Sequence, residues 1–134
     1  MKLYIKSSVD NGNYGKICIY DNLLKQKYCV DISHSVLGMK LDLYNENNKK
    51  VAKIRQRDIV FNKTYRISSS NRIIKVVAKF LETGPKFCIK GINWEFNGNL
   101  LKKDFRVIEN SSKTEIMRQR IASSNIHGFE LDIE

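Results

Sequence analysis

Proline, tryptophan and histidine are scarce in this chain. Among 134 residues there are one proline, one tryptophan and two histidines. With a single proline and no stretch rich in glycine and serine, nothing in the sequence marks a linker between domains. We therefore expect one domain that spans residues 1–134, a length that suffices to bury a hydrophobic core.

The few cysteines and histidines do not form a common metal-binding or redox motif. Cys18, Cys29 and Cys88 have no C-x-x-C spacing, and His34 and His127 lie far apart in the sequence. Each cysteine lies in an apolar or alternating run, which is typical of a small buried side chain in a reducing compartment. A bridge between Cys18 and Cys29 across one hairpin is the alternative. The sequence predicts no metal site and no cofactor.

No segment has the length or the apolarity of a membrane helix or a signal peptide. Residues 1–6 read MKLYIK and lack the apolar core of a signal sequence. No apolar run approaches the roughly 20 residues that a transmembrane helix needs. Catalytic motifs such as G-x-S-x-G, H-E-x-x-H and a glycine-rich phosphate loop are also missing. We expect a cytoplasmic protein that is not an enzyme.

Acidic residues are too few to balance the basic ones. The chain has 24 Lys and Arg against 14 Asp and Glu, a formal net charge of +10. Such an excess favours an anionic partner, which can be an acidic membrane surface, nucleic acid or an acidic protein. The alternative is that the charges keep exposed strands soluble and protect sheet edges.

The chain does contain a repeat of roughly two dozen residues. Six segments begin at successive steps of 24, 24, 22, 18 and 24 residues, and their apolar residues alternate with period two. This period indicates half-buried strands. The segments are 17–20, 41–44, 65–67, 87–89, 105–108 and 129–133.

Most of these segments are followed by a turn and a second strand, so the repeated unit is a hairpin. For example, the Asn-rich residues 45–50 separate segment 41–44 from a returning strand at 51–57. Asn, Asp and Ser favour such turns because their side chains bond nearby backbone groups. About a dozen short strands with weak helical periodicity predict an all-β sandwich or a closed barrel, and closure would remove exposed edges.

Five further elements occur in a fixed order along the chain: residues 3–6, 38–40, 84–86, 91–98 and 104–107. Together with the repeat segments, their order and spacing resemble the bacterial branch of the LURP-one-related family, which has the tubby C-terminal-like fold. The resemblance covers almost the whole chain and implies a closed antiparallel barrel of about twelve short strands around a central C-terminal helix. That helix follows the strand that matches 129–133 in the family, whereas this chain ends at Glu134. We therefore expect a barrel that lacks the helix; the alternatives are that the sequence is truncated, that another chain fills the barrel or that the barrel closes differently.

Two near-identical tetrapeptides on returning strands, 54–57 and 117–120, are the candidate anion-binding segments. Both contain Arg-Gln-Arg, and alternation places the two arginines of each on one face. Guanidinium groups bind phosphate in a bidentate geometry. Alternatively, these arginines are solvated surface positions or echoes of duplication. The predicted site residues are Lys53, Arg55, Arg57, Arg118 and Arg120, with Lys75, Lys79, Lys102 and Lys103 as an extension.

These observations leave two classes of function. The first is a non-enzymatic module that binds anionic phospholipid headgroups through a basic strand face, which the tubby relatives suggest by analogy of fold. The second is a structural or protein-interaction module without a ligand. Nucleic-acid binding is disfavoured because no aromatic-rich platform is present.

Overall fold

The computed structural model describes residues 1–8, 15–36, 38–59, 62–81, 84–99, 104–121 and 129–133. Strands are the only regular secondary structure in these ranges. None of their residues belongs to a helix long and apolar enough to span a membrane. The strands are β1 (Lys2–Ser8), β2 (Lys16–Tyr20), β3 (Gln26–Ser35), β4 (Gly38–Asn45), β5 (Lys50–Ile59), β6 (Asn62–Ser69), β7 (Arg72–Leu81), β8 (Gly84–Lys90), β9 (Trp94–Asn99), β10 (Asp104–Glu109), β11 (Glu115–Ile121) and β12 (Phe129–Ile133).

The twelve strands form one antiparallel sheet that curls into a nearly closed barrel. Their order is β8-β7-β6-β5-β4-β3-β2-β1-β12-β11-β10-β9, so that the first strand pairs with the last. The amino group of Met1 donates to the carbonyl oxygen of Ile133 at 2.6 Å, and the Ile133 N–H donates back to Met1 at 2.8 Å. The all-β antiparallel barrel expected from the sequence is confirmed.

The two ends of the sheet, β8 and β9, meet through aromatic side chains. Phe96 of β9 packs edge-to-face on Phe87 of β8, with ring centroids 5.8 Å apart, and on Phe105 of β10 at 5.5 Å. Edge-to-face pairs are a favoured aromatic geometry and bury large apolar surfaces. The barrel is therefore completed at this seam by side-chain packing, whereas hydrogen-bonded ladders join the other neighbouring strands.

The six repeat segments lie in the even-numbered strands β2, β4, β6, β8, β10 and β12. The turn between β2 and β3 has the same structure as the turn between β4 and β5, which lies 24 residues later. In each, the side chain of the first turn residue, Asp21 or Asn45, accepts backbone N–H bonds from the residues two and four positions later, at 2.9–3.0 Å. Leu24 and Asn48 occupy equivalent left-handed conformations, with φ of 60° and 59°. These short polar side chains thus fix the turns, as the sequence predicts.

The turn between β10 and β11 is held by a carboxylate. Glu109 accepts the Ser112 hydroxyl at 2.6 Å and the Ser112 N–H at 2.7 Å. These hydrogen bonds, the hydroxyl bond first, stabilise the ionised form and lower the pKa of Glu109 to about 2. The lowered pKa shows that the turn stabilises the charged form of Glu109.

Alternation and register divide the strand residues into an inner and an outer face. Leu3, Ala78 and Val107, which are 2–6% exposed, mark the inner face. Cys18 and Cys29 are directly opposed to each other on the outer face, next to inward-facing Ile17 and Ile19. All three cysteines are half-buried. The expectation that each would be a small buried core residue is therefore wrong.

Candidate anion-binding face

Charge is unevenly distributed around the barrel. Strands β5–β8, the basic half, carry four, two, three and two basic residues respectively, and Asp58 is their one acidic residue. Strands β9–β12, the acidic half, carry three arginines and six Asp or Glu residues. The net excess of the basic half thus equals the +10 of the whole chain.

Five basic residues stand directly opposite one another across five neighbouring strands. The pairs run from β4 to β8, and each residue is the cross-strand partner of the next. Directly opposed residues project from the same face of a sheet, and like charges at such positions are destabilising, by about 0.2–1 kcal/mol per pair. We call this set the basic row. Its members are Lys40, Arg55, Arg66, Lys75 and Lys90.

Asp42 neutralises one member of the basic row. Its carboxylate lies 2.9 Å from Nη2 of Arg55 and 3.2 Å from Nζ of Lys50. Burial, the largest single influence, raises the pKa of Asp42, but the hydrogen bonds from Arg55 and Lys50 outweigh it and the pKa is lowered. Nη1 of Arg55 also donates to the carbonyl oxygens of Leu41 and Ile54. The guanidinium of Arg55 is therefore already bound within the protein.

The other members of the basic row have no such counter-charge. Lys40, Arg66, Lys75 and Lys90 are exposed, and none of them forms an ion pair with a carboxylate in the described ranges. Lys53 and Arg57 of β5 flank Arg55 on the same face, and they too are exposed. Lys79 and Lys86 are directly opposed further along β7 and β8. This face therefore presents closely spaced cations to solvent.

An open pocket of about 280 Å³ adjoins the basic row at the start of β5. Lys53 and Ser68 are directly opposed in its lining, and the hydroxyl of Ser69 donates to the carbonyl of Val51 at 3.1 Å. Because Arg55 and Lys50 pair with Asp42 and Ser69 donates to Val51, we assign the contacts to a tetrahedral oxyanion here to the cation of Lys53 and the hydroxyl of Ser68. The lining side chains with polar atoms are Lys50, Lys53, Arg55, Ser68, Ser69 and Ser70.

The second Arg-Gln-Arg segment lies in the acidic half. Arg118 is 3.8 Å from a carboxylate oxygen of Asp104, and Arg120 is 3.4 Å from Glu130 and 4.0 Å from Asp132. Exposed ion pairs of this kind contribute little to stability, but they do cancel the local positive potential. Strands β5 and β11 are not neighbours in the sheet. The structure therefore does not bring the two segments together into one patch.

Of the residues predicted as a site, Lys53, Arg55 and Arg57 lie on the outer face of the basic half, with Lys75 and Lys79 beside them. Lys102 and Lys103 lie outside the described residues. The sequence interpretation missed Lys40, Arg66 and Lys90. Counting outward from the two-residue Ser70–Asn71 turn places Arg66 opposite Lys75. This hairpin register is the signal in the sequence that would have revealed part of the basic row.

Among the described residues, no three His, Cys, Asp or Glu side chains are grouped so as to hold a metal ion.

Comparison with known proteins gives a consistent result. The sequence model of the LURP-one-related family matches residues 1–134. The uncharacterized protein YxjI of Bacillus subtilis (strain 168) is 28% identical over 92 residues, which cover 68% of this chain and 57% of that protein. The crystal structure of an Arabidopsis thaliana protein, AT5G01750, is similar in fold, with a TM-score of 0.61 and 14% identity, over 98% of this chain and 78% of that one.

Proposed function

This chain belongs to the LURP-one-related family, and we propose that it is a non-enzymatic module that binds anionic phospholipid surfaces through the outer face of β4–β8. The observation that carries the proposal is the basic row. Four of its five members are exposed and have no carboxylate partner in the described ranges. A basic residue near an acidic membrane surface contributes about 1 kcal/mol, so four contribute about 4 kcal/mol before the cost of association.

Repulsion between like charges in the free protein also supports an anionic partner. The row juxtaposes like charges in four successive cross-strand pairs, an arrangement that weakens the sheet. The acidic half has one such pair, Arg106 with Arg118, but Arg106, Arg118 and Arg120 all pair with carboxylates. Solubility alone does not require cations at directly opposed positions on successive strands. An anionic surface bound to this face would relieve the repulsion between them.

Phospholipid is favoured over nucleic acid because the outer face of β5–β8 offers phosphate contacts, whereas the register turns the aromatic residues of these strands away from it. Two of the three aromatic residues on β5–β8, Tyr65 and Phe87, are directly opposed to Val76 and Ala78 on the inner face. Single-stranded nucleic acid is usually held by aromatic stacking in addition to a basic groove. The pocket lined by Lys53 and Ser68 would receive the phosphate of one headgroup. A cytoplasmic location, expected from the sequence, would expose the module to an anionic leaflet.

Vesicle co-sedimentation tests the proposal. We expect the protein to sediment with vesicles of equal parts phosphatidylcholine and phosphatidylserine at about 0.1 M salt, and to be released at about 1 M salt as the Debye length falls from about 10 Å to about 3 Å. Vesicles of phosphatidylcholine alone are the control. Equal recovery on the two vesicle types, or recovery that is indifferent to salt, would show that binding does not depend on the attraction between the basic face and anionic lipid.

A further inference from the structure

Two of the three cysteines form a cross-strand pair. Cys18 of β2 and Cys29 of β3 are directly opposed in the register, and their Sγ atoms are 3.2 Å apart. Directly opposed residues of antiparallel strands have Cα atoms about 4.5 or 5.5 Å apart, which lies within the range that a disulfide spans. A disulfide has its sulfur atoms about 2.05 Å apart, so about 1.2 Å of closure is needed. Side-chain rotation can supply this without a change of register.

The pair is on the outer face and is half-buried, so a small reagent can reach it from solvent. Its neighbours include Tyr20, which hydrogen-bonds with Cys18, and Tyr44, the register partner of Cys29 in β4. The side-chain amide of Gln26 donates to Sγ of Cys29 at 3.0 Å. Burial, followed by the hydrogen bond with Cys18, raises the pKa of Cys29. Cys29 is therefore a thiol at neutral pH and lacks the activated thiolate of a catalytic cysteine.

We propose that Cys18 and Cys29 are a reversible dithiol–disulfide site that reacts with small-molecule disulfides such as glutathione disulfide. One protein thiolate attacks a sulfur of glutathione disulfide, and the first glutathione leaves as a thiolate. The second protein thiolate then attacks the sulfur of the mixed disulfide, and the second glutathione leaves. The two protein thiols lose two electrons and two protons, and glutathione disulfide becomes two molecules of glutathione.

The new bond would link β2 to β3 around the turn that Asp21 holds. It would close a short loop between residues 18 and 29 and so restrict the unfolded chain, which raises stability. Cys88, on the outer face of β8, has no second cysteine opposite it, since its register partner is Val77. Glutathione can cap this thiol but cannot bridge it within the chain, so Cys88 is replaced by serine in the variants used below.

Thiol counting by mass spectrometry tests the proposal. The reduced protein is equilibrated in buffers of increasing ratio of glutathione disulfide to glutathione, quenched with acid and alkylated. We expect the Cys88→Ser variant to fall from two alkylated thiols to none without gaining glutathione mass, and to regain both after treatment with dithiothreitol. A peptide that joins the segments around Cys18 and Cys29 should appear. In Cys18→Ser/Cys88→Ser, Cys29 should stay free or carry one glutathione.

The urea midpoint gives a second readout. Oxidised Cys88→Ser is expected to unfold at a higher urea concentration than the same protein after reduction, and Cys18→Ser/Cys88→Ser should show no such difference. The proposal is overturned if Cys88→Ser keeps two alkylated thiols at every ratio, gains two glutathiones or forms dimers. It is overturned equally if the oxidised form has the lower midpoint.

Discussion

Replacing Arg66 and Lys75 together with glutamine is expected to lower the partition coefficient of the protein for acidic vesicles about 30-fold. The two residues are directly opposed at the centre of the basic row. Each is exposed and has no carboxylate partner in the described ranges. Loss of about 1 kcal/mol for each removed charge gives about 2 kcal/mol, which corresponds to the stated change. Vesicle titration at about 0.1 M salt measures it.

Arg118→Gln/Arg120→Gln is the matched control, because it removes the same number of charges from the acidic half. Both arginines already face carboxylates, so their loss should alter the partition coefficient less than twofold. If the two double variants weaken binding equally, affinity follows the net charge of the chain and the basic row has no special part in it.

The same Arg66→Gln/Lys75→Gln variant should also be more stable than the wild-type protein at low salt. The substitutions remove three like-charge pairs, of Arg66 with Arg55, of Arg66 with Lys75 and of Lys75 with Lys90. We expect a gain of about 1 kcal/mol in the free energy of unfolding, which should shrink as salt is added. Urea is the suitable denaturant, since guanidinium chloride is itself a salt. A variant that binds less because it is unfolded would show the opposite change.

Gly98→Ala is expected to lower the free energy of unfolding by about 2–3 kcal/mol. Gly98 lies in β9 with φ of 121°, a conformation that residues with a Cβ rarely adopt. A Cβ at this position would lie 2.8 Å from the carbonyl oxygen of Asp104 and 2.9 Å from Cα of Phe105. Both are backbone atoms of β10, so β9 would have to shift near the seam that Phe96 closes. Urea denaturation followed by circular dichroism measures the loss.

Asn97→Ala is the control for this substitution. Asn97 is the neighbouring residue of the same strand, and its side chain is exposed. A surface change of this kind usually alters stability by less than about 0.5 kcal/mol. If the Gly98→Ala and Asn97→Ala variants had equal urea midpoints, the result would contradict the close approach of β9 to β10 at Gly98.

Most of the fold could be predicted from local pattern. Period-two alternation placed the strands, and Asp21 and Asn45 marked turns that prove alike in structure. The seam was not predictable in this way. Residues 87–89 and 94–98 look like one more hairpin in sequence, yet β8 and β9 are the two ends of the sheet. They meet there through the packing of Phe96 against Phe87.

The candidate site was predicted less completely, because it depends on register. Alternation assigned Arg55 to an outer face correctly, but it could not indicate that Lys40 and Arg66 would stand on either side of it. Equally, the two Arg-Gln-Arg segments are alike in sequence, and what separates them is the charge of the neighbouring strands. Arg120 meets Glu130 through pairing of β11 with β12, a contact that depends on the register of these two strands and not on the sequence of the Arg-Gln-Arg segment.

The most direct test of the proposed binding face identifies which strands of the barrel contact the membrane. Backbone amide resonances of the labelled protein are recorded with acidic bicelles that contain a lipid spin-labelled in its headgroup, and again with neutral bicelles. We predict that amides around Arg66 in β6 and Lys75 in β7 broaden with the acidic bicelles, while those around Arg118 in β11 keep their intensity. Broadening centred on β10–β12, or the same broadening with neutral bicelles, would contradict the assignment of the binding face to the basic half.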